Sequence, residues 1–292
     1  MVRAPATSAN LGSGFDVFGV ALDRPADLVS VERADRTTIE LSGVGSQYVP
    51  DDPAKNTAGV VAAELDAPAR LHIDKGVRPS SGLGSSAASA AGAAVALNAL
   101  YDCGLSPEEL VRVAAEGEAA VSGEAHADNV APAVFGGFTV VTDDGVTAVD
   151  ASLPVVACLP DIVVSTRKAR GVIPSEVDLD DLVDTVGSAS TLAVGMCRND
   201  PELVARGFED DVVTPARAAL IDGYDAVREA ALGAGATGGP VSGAGPTMLA
   251  VCRPGTRRAV AVAMVDAFDA EDVEATAYQT RIGPGARVWR DG

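Results

Sequence analysis

The chain has 292 residues, 47% of them apolar, enough to build a packed core in one large domain or two ordinary ones. Its 41 acidic residues against 22 basic ones give a formal charge of −19, a balance that repels nucleic acid and anionic lipid and argues against both as partners. Lysine occurs only at Lys55, Lys75 and Lys168, and this scarcity beside abundant Asp, Glu, Ala and Val fits a host with a high-salt cytoplasm.

In chain order, "LVSVERADRTTIELSGV" alternates apolar and polar residues on both sides of "RADR", as two antiparallel strands joined by a short turn do, and "ARLHIDKGV" reads as another strand. A helix is expected from Ser85 or Ser86 to about Leu100. A second follows in "SPEELVRVAAEGEAAVSG", where Ser106 as N-cap, Pro107, Glu109 at the third position and Gly123 supply both ends. "FGGFTVVTDDGVTAV" reads as a hairpin through Asp144-Gly145. "VVACLPDIVVST" supplies an apolar strand, and mainly helical segments lie around Leu182 to Cys197 and Pro201 to Phe208. The chain continues strand-loop-strand through "GPVSGAGPTMLAVC", helix through "RRAVAVAMVDAFD" and strand through "ATAYQTRIG". No period of repeat-protein length appears. The pattern is α+β, in two lobes of residues 1–152 and 153–292 that divide where the hairpin ends.

Cys103, Cys158, Cys197 and Cys252 have no C-x-x-C spacing, and His72 and His126 complete no zinc pattern with them, so free thiols of a reducing cytosol are expected. No apolar run of signal-peptide length opens the sequence, and Ala87 to Leu100 is too short and too rich in alanine to span a bilayer. The expectation is a cytoplasmic protein.

The stretch "RPSSGLGSSAASAAGAAVALNAL" puts serines and glycines directly before an alanine-rich helix. Backbone N–H groups at a helix start, left accessible by residues without bulk, make an anion site; the same composition also makes a tight packing turn. A Walker loop is excluded, because no lysine here follows a glycine. "GLGSSA" nearly matches a dinucleotide fingerprint, but Asp102 falls between two helices, not at the end of a second parallel strand. On the helix beginning at Ser106, Leu110, Val113, Ala114, Gly117 and Val121 share a face at about 100° per residue. Glu118 lies on the border of that stripe and Glu116 points away. A hydroxyl such as Ser86 and a carboxylate such as Glu118 are suitable Mg²⁺ ligands beside phosphate oxygens.

"SGLGSSAA" resembles the second motif of the GHMP kinases, and "SGAGPT", Ser242 to Thr247, resembles their third. "APATSANLGSGFD", "PDDPAKNTAG" and "HADNVAPAVFGGF" are similar to the branch of that superfamily that acts on homoserine, and the likeness covers essentially the whole chain. The resemblance implies an N-terminal βαβ lobe of ribosomal-protein-like topology, a C-terminal ferredoxin-like lobe, ATP and Mg²⁺ between them, and phosphoryl transfer to the side-chain hydroxyl of L-homoserine. It implies a loop around the phosphates formed by Ser81, Gly82, Leu83, Gly84, Ser85, Ser86 and Ala87, with Gly243 opposite. It places Asn56 and Lys75 near the nucleoside and Mg²⁺ on Ser86 and Glu118. Asn10, Asp16, His126, Arg170 and Arg217 line the homoserine pocket in this reading, and relatives suggest a homodimer.

A zwitterion wants arginine forks for its carboxylate and a carboxylate or amide oxygen for its ammonium, tasks that suit Arg170 with Arg217 and Asn10 with Asp16. Two departures from the family pattern stand out. Arg78 occupies the expected place of the loop's proline, which is Pro79 here. Asn129 stands where several relatives carry an aspartate base, so Asp16 or a phosphate oxygen is left to accept the proton.

Overall fold

The computed structural model describes residues 1–123 and 125–288. The first lobe contains β1 (Val2–Ala9), β2 (Phe18–Arg33), β3 (Thr38–Gly43), α1 (Thr57–Glu64), β4 (Ala69–Lys75), α2 (Ser85–Tyr101), α3 (Pro107–Ser122), α4 (Ala127–Phe135), β5 (Phe138–Thr142) and β6 (Gly145–Val149). The second contains β7 (Pro154–Pro160), α5 (Thr166–Gly171), α6 (Leu179–Arg198), α7 (Pro201–Gly207), α8 (Val213–Ala218), α9 (Tyr224–Gly233), β8 (Ala236–Gly238), β9 (Met248–Cys252), α10 (Arg257–Asp269) and β10 (Ala275–Arg281). A final strand, β11 (Arg287–Val288), returns to the first lobe and pairs antiparallel with β1.

The first sheet runs β11-β1-β2-β4-β3, with β5 on β2 and β6 on β5. The expected β2–β3 hairpin is not formed: β4 lies between them, antiparallel to β2 and parallel to β3. Burial explains the order. Ala69, Leu71 and Ile73 of β4 are fully buried, whereas Ile39 is the one buried residue of β3, so the more apolar strand takes the inner place. The β5–β6 hairpin turns at Asp143-Asp144, one residue earlier than expected, because Thr142 already pairs with Gly145.

The second sheet, β10-β7-β9-β8, is antiparallel throughout, the order of a β-α-β-β-α-β ferredoxin-like unit. Its central strands are buried on both faces, and their side chains alternate between two cores. Val155 and Ala157 of β7 and Leu249 and Val251 of β9 face an apolar cluster shared with Ala4, Leu11, Phe18 and Leu22 of the first lobe. Val156, Cys158, Met248 and Ala250 face α9 and α10 through Val227, Val260, Met264 and Phe268. Each large side chain in the shared cluster contributes roughly 1.5–3 kcal/mol, which joins the lobes through a common core.

Both ends of α3 follow the sequence reading. Ser106 and Glu109 form a reciprocal capping box, Pro107 occupies the first turn and Gly123 closes the helix in the left-handed region. Val121 departs from the expected stripe and is exposed, while Glu118 is buried more deeply than a border position implies, at 2% exposure. Helix α2 is covered on nearly every side, which its alanines permit. Gly92 marks the closest approach: a Cβ there would stand 2.7 Å from Val29 Cγ2 and 3.1 Å from Ala4 Cβ. Gly92→Val is therefore expected to destabilise the fold by roughly 1–3 kcal/mol or more through overpacking, measured as a lower denaturant midpoint with an unchanged slope.

Candidate active site

A cavity of about 520 Å³ opens between the lobes, within the range of small-molecule sites. Its floor is the turn from β4 into α2. Gly84 sits at the helix N-cap in the left-handed region, with φ of 62°, and no side chain caps the first turn. The helix of 17 residues thus presents its positive end and first N–H groups to the cavity. Only glycine fits there, because a Cβ on Gly84 would lie 2.0 Å from Thr7 Oγ1 and 2.9 Å from Asn129 Oδ1. Gly82 is equally constrained, and a Cβ on it would lie 2.6 Å from both the Ser242 and the Gly245 carbonyl oxygens.

Those two carbonyls belong to the second glycine-rich loop, which clasps the first across the lobes. Ser242 Oγ donates to the Gly82 carbonyl at 2.8 Å, Thr247 Oγ1 to the Ser81 carbonyl at 2.7 Å, and Gly243 N to the Ala9 carbonyl at 3.1 Å. Arg217, on α8, donates from Nη1 to the Gly243 carbonyl at 2.6 Å. Arg78, standing where a proline was expected, reaches Asp161 of the other lobe at 2.5 Å, and Pro79 packs over Gly45.

Ser81, Gly82, Gly84, Ser85, Ser86 and Gly243 border the cavity, as the sequence anticipates. Leu83 and Ala87 do not: both side chains are buried in the hydrophobic core, so these positions offer backbone at most. Asn56 borders the cavity, yet its amide is committed to the backbone, donating to the Pro50 carbonyl at 2.7 Å and capping α1 through Ala58 N at 3.0 Å. Lys75 also reaches the cavity floor, but its ammonium donates to Asp27, to the Ser85 carbonyl and to Ser89 Oγ, which uses its three hydrogens on protein groups.

Glu118 comes from α3, and the Ser86 hydroxyl at the start of α2 hydrogen-bonds to it. Burial pushes the Glu118 carboxyl upward, opposed by the Ser86 bond and by the nearby His126, while Asp128 adds to the rise. A hydroxyl paired with a buried carboxylate, at the mouth of an anion site, fits a hard divalent cation that completes its shell with water and phosphate oxygens. Among the described residues no cluster of three His, Cys, Asp or Glu side chains that could hold a metal ion exists.

The other end of the cavity carries charges of both signs. Asn10 is left-handed at φ of 69° and its Oδ1 accepts from Asp16 N at 3.0 Å, so the amide shapes the turn that presents Asp16. Both Asp16 carboxylate oxygens accept from Arg170, Oδ2 from Nη1 at 3.0 Å and Oδ1 from Nη2 at 3.1 Å. Arg217 is 5% exposed, and its Nε is buried with no partner among the described residues, leaving a donor at the cavity wall. His126 precedes α4 and borders the same space. Asn129 Oδ1 accepts from Thr7 Oγ1 at 2.9 Å, so this amide is held beneath Gly84.

Two participants escaped the sequence reading. Phe15 makes cation–π contact with the guanidinium groups of both Arg170 and Arg217, 5.5 and 5.1 Å from its ring centroid. Asp128 is buried at the cavity wall, and burial, with the charge of Asp16, pushes its pKa up to about 6. Its signal was its place inside "HADN", between two residues already singled out. Pro132, four residues on, lacks the N–H that would bond to the Asp128 carbonyl, and that proline also hid α4 from the periodicity.

Residues 53–137 match the family model of the GHMP kinases N terminal domain, and residues 192–270 that of the GHMP kinases C terminal. The chain is 69% identical to the homoserine kinase of Halorubrum lacusprofundi over 98% of each chain. It is 50% identical to that of Methanocella arvoryzae over 98% of this chain and 96% of the relative. The crystal structure of homoserine kinase from Cytophaga hutchinsonii superposes with a TM-score of 0.91 at 34% identity, covering 99% of this chain and 96% of that one.

An acid that the fold holds protonated above its ordinary range stabilises the fold fully below that range and loses this contribution as the pH rises through the raised value. Asp128, ordinarily near 3.8, is raised to about 6. Asp128→Asn should therefore stabilise the unliganded protein by up to about 3 kcal/mol near pH 8 and bring little gain near pH 4, measured by denaturant unfolding at both values.

Proposed function

Because the chain belongs to the GHMP kinase family, we propose that it is an ATP-dependent kinase that phosphorylates the side-chain hydroxyl of L-homoserine, a step of threonine biosynthesis. The observation that carries this reading is the meeting, in one cavity, of an uncapped helix N-terminus with a pocket holding both arginines and carboxylates. The first suits a polyphosphate and the second a zwitterion. The lobes divide at residues 152 and 153 in this reading, with β11 returning to the first, and each lobe contributes one wall.

In this reading the α2 N–H groups and the loop from Ser81 to Ser86 bind the phosphates, and the Gly243 loop closes over them from the opposite lobe. Ser86 and Glu118 hold Mg²⁺, which supplies charge neutralisation on the phosphates. Arg217, with its Nε donor, and Arg170 bind the homoserine carboxylate; Asp128 and Asp16 bind the ammonium, and Asn10 and His126 complete the pocket. The substrate hydroxyl is thereby aimed at the terminal phosphorus. A bond from that oxygen to phosphorus forms as the bond to the leaving diphosphate breaks. Asn129 cannot take the proton, and a loose transition state asks little of a base, so catalysis rests on position and charge. The proton leaves to a phosphate oxygen or to Asp16, and near-normal turnover of Asp16→Asn would remove Asp16 from that role.

The charge of −19 and haloarchaeal relatives support work in a high-salt cytoplasm, where the four free cysteines stay reduced. None of the helices in the described residues is long and apolar enough to cross a membrane. A homodimer belongs to the same reading. Helix α6 carries an outward stripe of Leu179, Val183, Val186 and Val194, each at least half exposed. Pairing with a second, antiparallel α6 would cover it and bring Asp180 beside the other copy's Arg198.

ADP release coupled to a reporter, in molar KCl, should depend on homoserine and be at background with shikimate, mevalonate or galactose; silence with homoserine would overturn the assignment. Glu118→Ala should lower turnover by roughly a hundredfold or more and weaken the response to Mg²⁺. An unchanged Mg²⁺ dependence would remove Glu118 from the metal site. Val186→Glu should shift the sedimentation mass towards that of a monomer.

A further inference from the structure

The segment Arg78 to Gly84 follows Val77, two residues past the end of β4, and enters α2 at Ser85, and both of those ends meet one buried ion pair. Asp27, fully buried on β2, accepts from Gly76 N and Val77 N at 3.0 Å each through Oδ1. Its Oδ2 accepts from Ser89 Oγ at 2.9 Å and from Lys75 Nζ. Lys75, at 2% exposure, donates in turn to the Ser85 carbonyl and to Ser89 Oγ, each at 2.8 Å. Ser85 Oγ closes the circuit by donating to the Val77 carbonyl at 2.7 Å.

The pair is also oriented. Lys75, Ser85 and Ser89 border the cavity, whereas Asp27 lies behind them, so the cation is on the ligand side and its counter-charge on the far side. A buried pair with a carboxylate this fully satisfied is a fixed dipole in a low-dielectric setting, where its direction counts.

We propose that Asp27 and Lys75, bridged by Ser89, are positioning residues of the phosphoryl-transfer site: they clamp both ends of the phosphate loop and aim a positive charge at the bound phosphates, and Lys75 is not a nucleoside ligand. The proposal rests on the kinase reading, because it needs phosphates on this loop. The clamp acts through the backbone of Val77 and Ser85 and so fixes the two ends of the loop, while the second lobe holds its middle.

The test is a ladder of adenosine, ADP and ATP binding by calorimetry in molar KCl, with steady-state KM for ATP and homoserine. The variants are Asp27→Asn with Lys75→Met, which leaves no buried charge unpaired, and Ser89→Ala alone, which removes one arm of the bridge. The double variant should bind ATP and ADP roughly tenfold to a hundredfold more weakly while adenosine affinity and the homoserine KM stay within about twofold. The KM for ATP should rise more than kcat falls. Ser89→Ala should shift the same ratios in the same direction by less, and speed amide exchange in residues 78–87. Equal weakening of adenosine and ATP, or no weakening in either variant, would overturn the clamp alone. A wild-type protein that binds ATP no better than adenosine would overturn the loop assignment and the clamp with it.

Discussion

The close approach of two backbone loops, one from each lobe, is the constraint on which the rest of the site depends. Gly82 lies against the Ser242 and Gly245 carbonyls at a distance no other residue allows, and Ser242 and Thr247 hydroxyls tie the loops together. This contact fixes where the N-terminus of α2 points, and the second lobe then covers it. Arg217 enters the cavity through the same contact, since its bond to the Gly243 carbonyl anchors the guanidinium to the loop that closes over α2. The two ends of the cavity are therefore set by one piece of geometry.

What the sequence disclosed, and what it hid, follows from how far each signal reaches along the chain. The caps of α3 are local hydrogen bonds within three or four residues, and they were legible to the residue. Strand order is a non-local choice. The β2–β3 segment alternates as a hairpin should, and nothing within it reveals that β4 is the better inner strand. β1 went unread because Pro5 interrupts a run of small residues, and its ladder with β2 is itself irregular, with Asp23 to Pro25 unpaired between Leu22 and Ala26. α4 went unread because Pro132 lies inside it. In each case tertiary pairing overrode a weak local preference.

The candidate site divides in the same way. The Gly/Ser loop is continuous in sequence, so composition marked it as an anion site or a packing turn and the family resemblance chose the first, although the Leu83 and Ala87 side chains prove to serve the core. Glu118 was found because a carboxylate beside an apolar stripe is costly. Phe15 acts through Arg170 and Arg217, 155 and 202 positions away, and Asp128 through Asp16, 112 positions away, and such relations have no linear trace. The early place of Arg78 has a physical counterpart in the inter-lobe ion pair with Asp161, but both partners are exposed enough that the pair contributes little energy.

Charge is used differently outside and inside this molecule. The chain as a whole carries a formal charge of −19, which is a matter of solvation and not of recognition. Three charges that line the cavity have close partners: Asp16 with Arg170, Glu118 with Ser86, Lys75 with Asp27. Such pairing keeps the buried Glu118 and Lys75 tolerable before any ligand arrives and restrains the partly exposed Asp16, which favours rigidity in the site. A phosphoryl transfer without a strong base demands that rigidity, because its rate depends on holding two substrates in line while negative charge is shared among fixed donors. The amide at Asn129, bonded to Thr7 and packed under Gly84, belongs to that framework, since it supports the loop from below.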